Sequence, residues 1–202
     1  AVARYERAEN MIKRFPDAAC VTCDRYQEVF NPKAQNFRLQ KKKPALILAK
    51  KFGTTVLPAP EGYGIGGEHN YYFSHMLNCI YDCRYCFLQG MYRSAHYVVF
   101  VNYERFFDGM MEKVNIHAGE DVWFFSGYDC DSLALEPVTG FVRELLAWLR
   151  RHPRAQVELR TKSTQIRSLF EATPLSNVVI AYSLTPDQTA ATLEHKAPSV
   201  EK

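Results

Sequence analysis

The spacing of hydrophobic residues along the chain changes several times between residues 71 and 184. Extended apolar runs predict β-strands over residues 71–77, 97–101, 122–126, 156–161 and 178–184. Between these runs, apolar residues recur at helical spacing and predict helices over residues 103–114, 137–151 and 164–172. Strands that alternate with helices favour a parallel sheet, so the pattern predicts an α/β fold.

The first 68 residues have a less regular pattern. They predict one helix and two short strands, over residues 5–15, 19–23 and 44–49. Prolines and glycines between residues 58 and 67 then indicate a loop or linker. We therefore predict a small N-terminal α/β extension, residues 1–68, followed by the main α/β unit, residues 69–202.

The polar residues of greatest chemical interest follow the predicted strands. Besides the cysteine-rich segment 79–86, they lie in residues 126–132, 162–163 and 183–185. Parallel sheets place functional groups at the carboxyl ends of their strands. We therefore expect these segments to form one site.

Three cysteines are the strongest chemical signal in the chain. Cys79, Cys83 and Cys86 have the spacing C-x3-C-x2-C. Thiolates are the usual ligands of iron–sulfur clusters, and a 4Fe–4S cluster offers four irons. Three thiolates therefore predict a cluster with one iron open to an outside molecule.

Other uses of these cysteines fit the sequence less well. A structural zinc site needs four ligands, and the further candidates, His75 and Cys130, lie at spacings that are untypical of zinc. Inert buried thiols are expected among apolar residues, whereas polar and charged residues flank this triplet. Cys20 and Cys23 have no further ligands nearby, so we interpret them as structural thiols.

Composition excludes several classes of protein. Hydrophobic residues make up 47% of the chain and charged residues 23%, which is typical of a globular domain. No apolar run approaches the length of about 20 residues that crosses a bilayer. Six cysteines without a paired framework favour a reducing compartment, so we expect a cytoplasmic protein with no membrane partner.

Charge is unevenly distributed along the chain. Residues 1–60 contain 12 Lys and Arg against 5 Asp and Glu, whereas residues 61–202 contain 13 against 17. The densest basic stretch carries Arg38, Lys41, Lys42 and Lys43. Two interpretations stay open for it: a phosphate-binding surface, or a solvated loop before the next strand.

Three stretches carry more specific information than the cysteine spacing alone: residues 35–38 (QNFR), 74–79 (SHMLNC) and 86–92 (CFLQGMY). Together they resemble the spore photoproduct lyase family of radical S-adenosylmethionine (SAM) enzymes. The resemblance implies a 4Fe–4S cluster and SAM as cofactors. It also implies a partial (β/α) barrel of the radical SAM type, which we expect to be incomplete at the C-terminus of this chain.

The same resemblance implies an activity. A reductant such as flavodoxin or ferredoxin would supply one electron, and SAM would be cleaved to methionine and a 5′-deoxyadenosyl radical. In the lyase itself this radical starts the splitting of a thymine photolesion in DNA, which is a carbon–carbon lyase reaction. DNA bound through the basic stretch is therefore the expected partner.

Residue roles follow from the resemblance position by position. Three residues match the cluster ligands: Cys79, Cys83 and Cys86. The cofactor-binding candidates are Lys162, which matches the lysine that meets the SAM carboxylate, together with Ser183, Asp131 and the strand-end residue Ser126. The catalytic candidates are Tyr85, Tyr128 and Cys130.

Two positions depart from the family pattern. Tyr128 stands where the lyase has the cysteine that returns a hydrogen atom to the product radical, and Cys130 would substitute only if the loop bulges. Phe87 stands where the lyase has a tyrosine, and phenylalanine has no O–H hydrogen to give up. Two alternatives therefore stay open: the same radical chemistry on a small molecule or peptide, and a zinc-stabilised nucleic-acid-binding module.

Overall fold

The computed structural model describes residues 2–30, 33 and 35–199. The strands are β1 (Leu46–Ala49), β2 (Val56–Pro58), β3 (His69–Phe73), β4 (Met76–Leu77), β5 (Tyr97–Phe100), β6 (Val122–Ser126), β7 (Ala155–Thr161) and β8 (Val178–Tyr182). The α-helices are α1 (Glu6–Lys13), α2 (Phe37–Lys42), α3 (Leu88–Met91), α4 (Glu104–Ile116), α5 (Glu136–Thr139), α6 (Phe141–Leu149), α7 (Arg167–Phe170) and α8 (Asp187–Leu193).

The larger sheet has the strand order β2–β3–β6–β7–β8. Strands β3, β6, β7 and β8 are parallel to one another, and β2 lies antiparallel to β3 at one edge. The α/β class and the mainly parallel sheet predicted from the sequence are therefore confirmed. The carboxyl ends of β6, β7 and β8 meet at one end of this sheet.

A second sheet has the order β1–β5–β4, with β1 parallel and β4 antiparallel to β5. The single strand predicted over residues 71–77 is divided between the two sheets, because Met76 and Leu77 pair with β5. At the bend, the buried Ser74 hydroxyl accepts a hydrogen bond from the Asp129 N–H (3.2 Å). One apolar run thus serves two sheets, a division that hydrophobic periodicity does not reveal.

Helices α4 and α6 cover the strands with their apolar faces. Their fully buried side chains include Phe106, Met110, Phe141, Leu145 and Leu149. Phe141 is central, because the rings of Phe73, Tyr103 and Phe106 pack around it at centroid distances of 4.9 to 6.1 Å. Both sheets contribute strands to the same hydrophobic core, which fixes their ends relative to each other.

The helix predicted over residues 137–151 is two helices, α5 and α6. Gly140 separates them with a φ of 60°, a left-handed conformation that glycine adopts without steric cost. The buried Glu136 carboxylate accepts hydrogen bonds from the N–H groups of Val142 (2.9 Å) and Arg143 (3.1 Å), so it caps α6. Burial raises the pKa of Glu136, and these hydrogen bonds oppose that rise.

The N-terminal predictions are confirmed in part. The helix predicted over residues 5–15 is α1, and the strand predicted over 44–49 is β1. The strand predicted over 19–23 is wrong: these residues form no regular structure, and Val21 is 84% exposed. A short apolar run becomes a strand only beside a partner strand, and none of the described strands lies beside this one.

Strands from both sides of residue 68 pair within each sheet, since β1 pairs with β5 and β2 with β3. The division into residues 1–68 and 69–202 stays a prediction. Among the described helices, none combines the length and the apolarity that a membrane span requires.

Candidate active site

The cysteine segment begins directly after β4, at a residue with unusual backbone geometry. Asn78 has a φ of 68°, in the left-handed region that asparagine tolerates better than most residues. Its side-chain amide donates hydrogen bonds to the carbonyl oxygens of Ser94 (2.6 Å) and His96 (2.8 Å). These bonds hold the turn that leads the chain from the strand into the segment 79–86, which we call the cysteine loop.

All three cysteines of this loop line one open cavity of about 160 Å³. Cys83 is buried, and Cys79 and Cys86 are partly exposed. Burial raises the pKa of the Cys79 thiol to about 12 and that of the Cys83 thiol to about 11. Both thiols hold their protons at neutral pH when no metal is present, so metal binding must release them.

The spacing of the sulfur atoms bears on the kind of metal site. The sulfurs of Cys79, Cys83 and Cys86 do not all lie within 4.8 Å of one another, and neither His75 nor Cys130 completes such a group. Around one tetrahedral zinc ion, sulfurs at Zn–S distances of about 2.3 Å lie ~3.8 Å apart. In this structure the three sulfurs are therefore not grouped around one ion position.

Most of the predicted site residues at the strand ends line the same cavity. They are Tyr85, Tyr128, Cys130, Asp131, Lys162 and Ser183. Ser126 does not: it is buried at the end of β6, and its hydroxyl has no hydrogen-bond partner. The loop and the ends of β6, β7 and β8 thus converge as the sequence predicted, and the chemical role of each residue stays a prediction.

Asp131 has a structural task in this arrangement. Its Oδ1 accepts hydrogen bonds from the N–H groups of Leu133 (3.0 Å) and Ala134 (2.8 Å) and from the Thr161 hydroxyl (2.6 Å). Its Oδ2 accepts the N–H of Lys162 (2.7 Å). Asp131 therefore joins the segment after β6 to the end of β7 and fixes the backbone of Lys162.

The remainder of the segment after β6 is tightly packed. Gly127 has a φ of 84°, and a Cβ there would lie 2.7 Å from the Ser132 hydroxyl and 3.2 Å from the Arg160 carbonyl oxygen. Cys130 is buried, which raises the pKa of its thiol. The close approach of β7 at Gly127 explains why this segment lies against the cavity wall.

Lys162 is the centre of a hydrogen-bond network. Its Nζ donates to the Ser183 carbonyl oxygen (2.5 Å) and the Thr185 hydroxyl (3.2 Å), and it pairs with the Glu194 carboxylate (2.9 Å). The Glu194 side chain is 5% exposed and also accepts hydrogen bonds from the Thr185 and Tyr85 hydroxyls. Burial opposes the charge of Lys162, but the hydrogen bonds to Glu194 and Tyr85 outweigh it and raise the pKa of Lys162.

Sequence reasoning missed Glu194. The backbone around it pairs with the cysteine loop, because the Arg84 N–H donates to the Leu193 carbonyl oxygen (2.8 Å) and Cys83 forms an antiparallel bridge with Glu194. Glu194 and Tyr85 are 109 positions apart, and no spacing rule links them. A lone glutamate after a short helix carries no signal of this contact.

A group of four aromatic side chains includes two that line the cavity, Phe87 and Tyr128. The ring of Tyr128 packs against Tyr72, Phe87 and Tyr63 at centroid distances of 4.4, 5.8 and 6.3 Å. We call these four residues the aromatic flank. Tyr128 therefore has ring neighbours on several sides and also lines the cavity that holds the cysteines.

The basic stretch of the N-terminal part divides into two kinds of residue. Arg38, Lys42 and Lys43 are exposed. Lys41 instead lines the cavity, where its ammonium pairs with Asp82 of the cysteine loop. Three of the four cations of this stretch are therefore exposed, and the fourth lines the cavity; phosphate binding by the stretch stays a prediction. We call Lys41, Asp82, Lys162 and Glu194 the charged flank.

Comparisons with known proteins place this site in a family. A sequence model of the spore photoproduct lyase family matches residues 68–202. Spore photoproduct lyase complexed with dinucleoside spore photoproduct matches with a TM-score of 0.82 and 16% identity, covering 99% of this chain and 58% of that chain. A double mutant of the lyase with bound AdoMet and dinucleoside spore photoproduct matches with a TM-score of 0.78 and 14% identity over the same shares. No curated protein gives a significant match.

The structural matches confirm the predicted fold class, a partial barrel of the radical SAM type. This chain spans 58% of the length of those lyase chains. The family implies a 4Fe–4S cluster and SAM, and three thiols that line one open cavity fit that pair. The chain belongs to the spore photoproduct lyase family.

Proposed function

We propose that this protein is a radical SAM enzyme. The observation that carries the proposal is convergence: Cys79, Cys83, Cys86, Lys162 and Ser183 come from separate segments and line one open cavity. When bound there, a 4Fe–4S cluster and SAM supply the reductive cleavage of SAM to a 5′-deoxyadenosyl radical. The protein supplies binding, orientation and exclusion of water.

The residues of the cavity prepare it for these cofactors in different ways. The three cysteines hold the cluster as thiolates, which requires Cys79 and Cys83 to lose the protons that burial retains. Lys162 receives the carboxylate of SAM. The Lys162 ammonium contacts Ser183, Thr185 and Glu194 in this structure, so it would have to exchange one of these partners to hold the carboxylate.

For the substrate, we propose a nucleic acid that carries a damaged base. The exposed cations Arg38, Lys42 and Lys43 contact its phosphates, and the aromatic flank receives the base by stacking. A damaged base leaves a duplex more readily than a paired one, because its unpairing costs less. The electron donor is a flavodoxin or ferredoxin, and the compartment is the reducing cytoplasm.

A specific observation favours a second candidate, radical chemistry on a small molecule or peptide. Tyr128, not cysteine, lines the cavity at the position that matches the hydrogen-atom donor of the lyase, and its neighbour Phe87 has no O–H group. DNA binding decides between the candidates. Binding that weakens steeply with salt and is lost in the double variant Lys42→Glu, Lys43→Glu supports the nucleic acid, whereas no binding at low salt supports the alternative.

The activity is tested by anaerobic incubation of the reconstituted protein with SAM and dithionite. We expect 5′-deoxyadenosine and methionine as products, measured by liquid chromatography. The variant Cys83→Ser is the matched control and yields neither product. If the wild-type protein carries a cluster and still forms no 5′-deoxyadenosine, the proposal of a radical SAM enzyme is wrong.

A further inference from the structure

Lys41 contacts the cysteine loop and the helix that follows it. Its ammonium forms a salt bridge with the carboxylate of Asp82, which lies between Cys79 and Cys83. The same ammonium donates to the side-chain oxygen of Gln89 (2.6 Å), which lies after Cys86. One lysine therefore bridges the middle of the cysteine loop and the start of α3, which follows the loop.

The surroundings of Lys41 favour this contact over a free surface position. Both partners of the salt bridge are partly buried, with side-chain exposures of 32% for Lys41 and 27% for Asp82. The ammonium also lies 5.2 Å from the ring centroid of Phe37, which lines the same cavity. A charged hydrogen bond shielded in this way is stronger than an exposed ion pair.

Helix α2 is held in the position that this contact requires. Its N-terminus is capped by Asn36, whose side chain accepts the Leu39 N–H (3.1 Å). Gln40 accepts the N–H of Ala95 (2.9 Å), beyond the cysteine loop. Consecutive residues of a helix point about 100° apart, which is why Lys42 lies on the exposed side.

We propose that Lys41 is a positioning residue of the cluster site: it closes the cysteine loop through Asp82 and Gln89 and places a positive charge beside the cluster. This inference rests on the proposed function, because it assumes that the three cysteines hold the cluster. Lys41 lies outside residues 68–202, which match the family. The N-terminal part of the chain thus contributes directly to the cofactor site.

Two consequences follow from this position. A loop that is no longer bridged releases its metal more easily. Loss of a direct contact to a metal-ligating side chain typically costs 10- to 100-fold in metal affinity, and we expect the lower end of that range here because Lys41 acts through Asp82 and Gln89. A cation beside a cluster favours the reduced form, which carries one more negative charge. Removal of the Lys41 charge therefore shifts the reduction potential of the cluster to a more negative value.

The test compares Lys41→Met with Lys42→Met after identical anaerobic reconstitution. We expect Lys41→Met to lose iron to a chelator about 10-fold more readily than the wild type, and to have a more negative potential in redox titration. Lys42→Met retains wild-type values for both. Lys41→Arg, which keeps the charge and can still bridge, restores much of the loss. Equal chelator sensitivity and equal potentials in Lys41→Met and Lys42→Met overturn the inference.

A second measurement needs no cofactor. In the apo protein, the melting temperatures of Lys41→Met, Asp82→Asn and the double variant form a double-mutant cycle. We expect the double variant to melt well above the temperature that two independent shifts predict, because both changes break the same bridge. Additive shifts contradict the bridge itself. A wild-type protein that binds no iron–sulfur cluster instead contradicts the proposed function, whatever the outcome of this cycle.

Discussion

The charged flank and the aromatic flank meet at the same cavity but are built in different ways. On the charged flank, the Lys41–Asp82 pair joins the cysteine loop to α2. The Lys162–Glu194 pair joins the end of β7 to the segment after α8, and Glu194 in turn accepts a hydrogen bond from Tyr85 of the loop. On the aromatic flank, the rings of Tyr63, Tyr72 and Phe87 each contact the ring of Tyr128. The ion pairs of the charged flank hold segments of the chain in one relative position. The rings of the aromatic flank present faces against which a flat ligand can stack.

This difference indicates a division of labour. Ion pairs with little exposure are strongly directional, so they suit the placement of a cofactor whose atoms must meet a metal. Ring contacts tolerate sliding and exchange of partners, so they suit a substrate that enters and leaves. The departures from the lyase pattern, Tyr128 and Phe87, both lie on the aromatic flank. We therefore expect cofactor binding to be retained even where the substrate differs.

The largest effect is expected from the cysteines themselves. Changing any one of Cys79, Cys83 or Cys86 to serine removes a ligand and abolishes the cluster, as measured by iron and acid-labile sulfide after reconstitution. The matched control is Cys20→Ser, because Cys20 is exposed and lies outside the cavity. Loss of the cluster in Cys20→Ser, or its retention in Cys83→Ser, would contradict the assignment of the loop.

The next largest effect concerns the charged flank. Glu194→Ala leaves Lys162 without its ion-pair partner in a position where only 15% of its side chain is exposed. Removal of one partner of such a pair costs about 3 kcal/mol in the free energy of unfolding. Denaturant unfolding of the apo protein measures this cost.

The control for this prediction is Glu171→Ala, which breaks exposed pairs with Arg143 and Arg167. Exposed pairs contribute far less to stability than buried ones, because water screens them. If Glu194→Ala and Glu171→Ala lower the free energy of unfolding equally, the Lys162–Glu194 pair contributes no more to stability than an exposed ion pair does.

A pH titration tests the burial of His75 in the protein interior. His75 is buried against the ring of Phe141 (4.1 Å between centroids), and burial lowers its pKa to about 3. Between that value and about 6.5, the unfolded chain binds a proton on His75 that the folded chain does not, so stability falls as the pH falls. At pH 5, His75 lowers the free energy of unfolding by roughly 2 kcal/mol, because each pH unit below 6.5 lowers it by about 1.4 kcal/mol.

His75→Phe should make the unfolding free energy less dependent on pH between 5 and 7. His195→Phe, at an exposed position, is the control and should leave the dependence unchanged. A slope that His75→Phe leaves intact shows that another group titrates.

The smallest effect is expected from the aromatic flank. Tyr128→Leu removes the ring contact with Tyr72 and should lower stability by about 1 kcal/mol. Iron content after reconstitution should equal that of the wild type, because the substitution breaks neither the Lys41 nor the Glu194 contacts of the cysteine loop. A loss of iron as large as that expected for Lys41→Met would show that the two flanks do not have separate tasks.

Much of this arrangement could be predicted from the sequence. The strand predicted over residues 122–126 coincides with β6, because its buried positions form one continuous apolar run. Cys79, Cys83, Cys86, Lys162 and Ser183 share the cavity as expected, because parallel strands bring their carboxyl ends together. A local sequence pattern predicts the position of a residue correctly when the strand that carries the residue determines that position.

The rest depends on contacts between distant segments. Asp82 and Lys41 are 41 positions apart, and Glu194 and Tyr85 are 109 apart, so neither pair leaves a periodic trace. The division of residues 71–77 between two sheets depends on the position of β5, and the break at Gly140 depends on the cap from Glu136. Such features arise from tertiary packing, and a count of charges along the chain does not reveal that Lys41 lines the cavity.

The most direct test of the account is the content of iron and acid-labile sulfide in the anaerobically reconstituted protein. We predict about four irons and about four sulfides for each chain, with a visible absorption spectrum that disappears in Cys83→Ser. About one zinc ion for each chain, with no labile sulfide and no colour, would contradict the central claim that the cysteine loop holds a cluster.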